Sequence, residues 1–93
     1  MSRFQIEERR LVPLEVKDSE LLTLGDAARR LGLSTSAMGD LVYRGVLRRV
    51  LDMSEPNPTW RTRVFVADVE QELARRRARR QEGGDARLRG KVR

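Results

Sequence analysis

Apolar positions in this chain follow three patterns, and each predicts a different element. Between Leu22 and Leu47 they recur at helical spacing in two short blocks. Thr23 opens the first block with Asp26 three residues on. A hydroxyl at the N-cap and a carboxylate at N3 each satisfy an amide that a helix start leaves unpaired. Ala27, Ala28 and Leu31 then give a small-residue packing face, and Gly32 stops the helix, since the residue after a helix end often needs positive φ. Leu33 follows, Ser34 caps a second helix, and that helix buries Met38, Leu41 and Val42 before Gly45 ends it.

The second pattern is strand-like. Val46–Leu51 is β-branched and apolar, and its partner is Arg61–Val66, with Arg61, Arg63 and Phe65 on one face and Thr62, Val64 and Val66 on the other. Pro56 and Pro58 lie between them and exclude continued strand, so Asp52–Trp60 reads as a long, semi-rigid hairpin tip.

The third is a helix begun by Ala67 or Asp68. Asp68, Glu70 and Glu72 crowd its start and Arg75, Arg76, Arg77, Arg79 and Arg80 its end, which complements the helix macrodipole. Val69 and Leu73, one turn apart, are expected to dock. Beyond them only Ala74 and Ala78 continue the stripe, so the helix should project or fray. Gly83-Gly84 is expected to end it, with 85–93 a basic tail lacking fixed structure.

Residues 1–20 are the least regular. Arg3–Glu7 alternates briefly, and Leu11–Val16 can be extended, with Pro13 forcing an edge or a break. Two readings stand: a strand or arm packing on the hairpin or on a second subunit, or a partly ordered leader covering the core. Lys17–Glu20 reads as a polar linker.

Two short helices joined through a glycine turn make a helix-turn-helix, whose second helix can enter a major groove. Thr23, Asp26-Ala27-Ala28, Leu31-Gly32-Leu33-Ser34, Leu41-Val42, Gly45 and Leu47 resemble the opening of MerR/excisionase-type winged helix-turn-helix domains. In that family two wing strands and a short helix follow, as Arg61–Val66 and Ala67-Asp68-Val69 do here. The match covers roughly residues 21–73. The resemblance implies an α+β, mostly helical fold: a winged helix-turn-helix with a two-stranded wing and a C-terminal helix. It divides the chain into an N-terminal arm (1–20), the domain (21–73) and an arginine-rich helix end and basic tail (74–93).

Charge sharpens this. The net charge is +6 over 93 residues, yet residues 1–73 hold 11 basic and 12 acidic groups, while 74–93 hold nine basic and two acidic. The excess is in the tail, where clustered cations favour phosphate through counterion release. All but Lys17 and Lys91 of the basic residues are arginine, which suits bidentate phosphate and guanine contacts. Genome composition is an equally good origin for that bias.

Candidate base-facing residues are the exposed positions of the second helix, Thr35, Ser36, Gly39, Asp40 and Tyr43, with Arg44 at its end. Relatives in the family usually carry an aromatic and then a basic residue where this chain has Gly39 and Asp40. Gly39 costs the helix about 1 kcal/mol relative to alanine but lets backbone approach a surface. Asp40 repels phosphate, although it can accept from a cytosine amino group. Tyr43 can either pack on the domain or touch DNA. Arg48, Arg49, Arg61 and Arg63 are placed to hold the DNA backbone from the wing, and Trp60 can anchor the loop or stack on a sugar. Arg75, Arg76, Arg77, Arg79 and Arg80 form either a solvated helix end or a nonspecific phosphate-binding run.

No catalytic constellation is visible. The chain has no cysteine and no histidine, removing thiolate chemistry, the usual general base and the commonest metal ligand. It also lacks P-loop, GxGxxG and HExxH motifs. Neither an enzyme, nor a metal, nor a cofactor is expected. No apolar run approaches a membrane span and the N-terminus lacks a signal-peptide core, so a cytoplasmic, nucleoid-associated protein is expected.

The expected function is double-stranded DNA binding, as a transcriptional regulator or excisionase-like architectural factor. A single small module buries little surface, which predicts a homodimer or cooperative filling of repeated sites. The rival is a protein-interaction module using the same fold to bind a polymerase, recombinase or other regulatory partner. Gly39, Asp40 and the near-neutral charge of residues 1–73 support that rival. A third possibility is structured RNA held by the tail.

Overall fold

The computed structural model describes residues 2–92, with side chains through residue 80. The chain is α+β, with three α-helices and a five-stranded antiparallel sheet. The strands are β1 (Phe4–Glu7), β2 (Leu11–Leu14), β3 (Leu21–Thr23), β4 (Val50–Asp52) and β5 (Thr62–Phe65), and the helices are α1 (Leu24–Leu31), α2 (Thr35–Tyr43) and α3 (Val66–Val92).

The sheet order is β2-β1-β4-β5-β3. This corrects the expectation of a two-stranded wing. β4 pairs with β5 through Val50↔Arg63 and Leu51↔Thr62, but it also pairs with β1 through Phe4↔Asp52 and Ile6↔Val50. β3 closes the other side through Leu21↔Phe65 and Leu22↔Val64. The predicted hairpin is therefore the middle of a sheet, and residues 1–20 supply two of its strands, the reading of a strand packed on the hairpin and not that of a partly ordered leader. Pro13 sits in β2, an edge strand, where a missing amide costs no ladder bond.

The two faces of the sheet are covered differently. By the pairing register, Leu22 and Val64 share the face on which the helices pack. There Ala27, Ala28 and Leu31 of α1, Met38 and Leu41 of α2, Leu47 and Val69 form the main core. Phe4, Ile6, Leu21 and Val50 make a second cluster with Val12, Leu14, Val16 and Phe65 on the opposite face. Residues 15–20 link the two edge strands. Val16 packs into the second cluster, and Asp18 accepts from Arg3 Nη1 at 2.8 Å. The expected polar linker at Lys17–Glu20 is a 3₁₀ turn over Asp18–Glu20, with Glu20 Oε2 accepting from the Lys17 amide at 3.0 Å.

Local signals explain the helices. Thr23 Oγ1 accepts from the Asp26 amide at 3.2 Å and Ser34 Oγ from the Ala37 amide at 3.1 Å, both as capping chemistry requires. Gly32 at φ 68° and Gly45 at φ 79° hold the left-handed backbone that ends each helix. The first strand after α2 is shorter than Val46–Leu51: its predicted start is taken up by the turn that buries Leu47, whose amide and that of Val46 both reach the Leu41 carbonyl.

α3 starts at Val66, and its bounds are Val66–Val92. The expected stop at Gly83-Gly84 and the basic tail over 85–93 lie outside the residues whose side chains are described, which end at residue 80. Among the described residues no helix is long and apolar enough to cross a membrane.

Candidate nucleic-acid interface

α2 is built with two unlike sides. Met38 and Leu41 are buried and Val42 packs beside them, whereas Thr35, Ser36, Asp40, Tyr43 and Arg44 are exposed, as the 3.6-residue spacing requires. Tyr43 is 90% exposed, so its ring does not pack on the domain. Arg44 Nη2 lies 2.8 Å from Asp40 Oδ2 one turn back, so the two charges on this side largely cancel.

Gly39 is half-buried with an ordinary helical backbone, and a Cβ built there meets nothing within 4 Å. Packing within the chain therefore does not require a glycine. Its absent side chain opens the wall of a groove of about 590 Å³ between α2 and the sheet, bordered by Val42 and Tyr43 on one side and Glu7, Glu8, Arg48 and Arg49 on the other.

The arginines predicted on the wing are separated and mostly engaged. Arg48 Nη2 is 2.9 Å from Asp68 Oδ1, its Nε is 3.0 Å from Oδ2, and its guanidinium lies over the Phe65 ring at 4.3 Å. The hydrogen bonds that Arg48 donates to Asp68 hold its guanidinium above its ordinary pKa. Arg49 Nη1 is 2.9 Å from Glu7 Oε2. Arg61 Nε donates to the Glu55 carbonyl at 2.8 Å, which braces the loop from inside. Arg63, with a side chain only 16% exposed, donates to the Trp60 and Thr62 carbonyls and lies 3.7 Å from Asp52 Oδ2.

Strand register explains the separation. β1 runs against β4, so the β4–β5 loop lies at the Arg3 end of the sheet, where the Met53 amide donates to the Arg3 carbonyl at 2.7 Å. The β1–β2 turn lies at the other end, where the Glu7 amide donates to the Arg49 carbonyl at 2.9 Å. Arg48 and Arg49 therefore border the α2 groove, while Trp60, Arg61 and Arg63 do not. Trp60 is 65% exposed in a 3₁₀ turn over Pro58–Trp60 that is capped by Asn57, so it is not a buried anchor.

In α3, Arg75 and Arg76 turn back to Glu72, with Arg76 Nε donating to Oε2 at 3.0 Å. Arg77, Arg79 and Arg80 are exposed. Glu72 itself is 3% exposed. Asp52 is likewise buried, at 2% exposed.

Sequence reasoning passed over the two arginines that follow Glu7 and Glu8 of the groove. Arg9 and Arg10 lie in the β1–β2 turn and are exposed, with the Glu8 amide donating to the Arg10 carbonyl at 3.0 Å. The signal was present as a four-residue polar break, Glu7 to Arg10, between two apolar stretches, which is what a hairpin turn needs. No family model, no curated protein and no solved structure matches this chain.

Proposed function

We propose that the protein binds double-stranded DNA as a winged-helix-like module, with α2 entering the major groove, in a transcriptional regulator or an excisionase-like factor. One observation carries this: α2 follows α1 across a glycine turn, buries Met38 and Leu41, and presents Thr35, Ser36, Asp40 and the unsupported ring of Tyr43 to solvent. Those are hydroxyl, carboxylate and aromatic groups able to meet base edges. The exposed Arg77, Arg79 and Arg80 of α3 supply cations for phosphate, giving salt-sensitive affinity. Ion pairing around α2 is a weak obstacle, because exposed pairs contribute only about 0–1 kcal/mol and exchange readily for a phosphate partner.

A protein partner is the second reading, favoured by one feature. Arg44, Arg48 and Arg49 each face a carboxylate of the same chain, which leaves the groove beside α2 nearly neutral. Titrating a duplex across a salt series separates the two. DNA binding predicts a steep loss of affinity with salt and a weaker complex for Tyr43→Ala. Absence of any duplex binding at low salt hands the surface to a protein.

A further inference from the structure

The cations of this domain are not equally free. Arg3, Arg29, Arg30, Arg44, Arg48, Arg49 and Arg63 each reach a carboxylate of the same chain. Arg9 and Arg10 enter no ion pair among the described residues, and both are exposed at the tip of the β1–β2 turn. The strands that carry that tip are held on both sides. Four register pairs join β1 to β2, and the Glu7 amide and carboxylate both tie to Arg49, at 2.9 Å each. Glu8, the residue before the tip, borders the same groove as Gly39 and Tyr43 of α2. A turn anchored at Glu7, whose Arg9 and Arg10 enter no ion pair among the described residues, thus follows the groove edge that faces the exposed side of the helix.

We infer that the β1–β2 turn is the element that grips the sugar-phosphate backbone beside α2, through Arg9 and Arg10. It takes the place that the sequence pattern gave to the β4–β5 loop, which the sheet register carries to the far end. This rests on the duplex reading above and assigns its flanking contact. Arginine suits the task because its fork can meet two phosphate oxygens at once. Mounting it on a paired turn lowers the ordering cost of the contact.

The test measures affinity of the full chain for a short duplex of random sequence over a salt series. Each lost phosphate contact lowers the slope of log affinity against log salt by about 0.9. The double variant Arg9→Ala/Arg10→Ala is expected to lower the slope by about 2, and Arg9→Lys/Arg10→Lys to retain most of it. Arg61→Ala is expected to leave it unchanged. An unaltered thermal midpoint in the double alanine variant excludes misfolding as the cause. A slope unchanged by Arg9→Ala/Arg10→Ala overturns the inference while leaving the α2 reading standing, provided wild type binds the duplex. A wild type that binds no duplex overturns both.

Discussion

Arg3 and Asp52 join the start of the first strand to the end of the fourth across 49 residues of chain. Arg3 Nη2 donates to Asp52 Oδ2 at 3.0 Å and Arg3 Nε to Oδ1 at 3.2 Å. Asp52 is 2% exposed, and Ser54 completes its shell with its hydroxyl at 2.6 Å and its amide at 2.9 Å. Removing the carboxylate leaves Arg63, itself mostly covered, without its nearest counter-charge. Asp52→Ala is therefore expected to destabilise the fold by about 2–4 kcal/mol, read as a lower midpoint in urea unfolding. Exposed pairs such as Arg49–Glu7 should give at most about 1 kcal/mol in a double-mutant cycle.

The same carboxylate sets an acid limit. Hydrogen bonds from Arg3, then from Ser54, outweigh burial and hold Asp52 down at about 2, below its ordinary 3.8. The unfolded chain binds this proton more readily, so the stabilisation is full above pH 4 and is lost as pH falls through about 2. Urea midpoints measured between pH 5 and 2 should fall steeply for wild type. Asp52→Asn should flatten that part of the curve.

Two glycines in the helix pair should respond in opposite directions. Gly32 sits at φ 68°, so Gly32→Ala forces a strained backbone and is expected to cost about 1 kcal/mol. Gly39 has helical backbone and open space, so Gly39→Ala is expected to raise stability by about 0.5–1 kcal/mol. If the glycine is there to admit a partner close to α2, that more stable variant should bind the duplex more weakly. Thermal midpoints and binding isotherms on the same samples check both halves.

The sequence made the helices legible because their signals are local. The Thr23 and Ser34 hydroxyls, the Gly32 turn and the spacing of Met38 and Leu41 all act within a few residues. Strand pairing was only partly legible. The alternation in Arg61–Val66 marked a strand, but nothing local says that Phe4 pairs with Asp52, because that partnership is decided by which apolar face finds cover. The fate of the arginines was hidden for the same reason: Arg48 reads as a free wing cation until the fold brings Asp68 and Phe65 beside it. The place of the Arg9–Arg10 turn, at the Arg49 end of the sheet, is likewise set by β1 lying against β4.

The exposed side of α2 is best probed by selecting bound sequences from a randomised duplex pool with wild type and with Ser36→Ala/Asp40→Ala. Both substitutions are at exposed positions and spare the Ser34 cap, so folding should be retained. If α2 reads bases, wild type enriches a defined motif and the variant loses or shifts preference at one or more positions while keeping its salt dependence. An identical motif from both proteins, or no enrichment by wild type, would contradict a base-reading role for this helix.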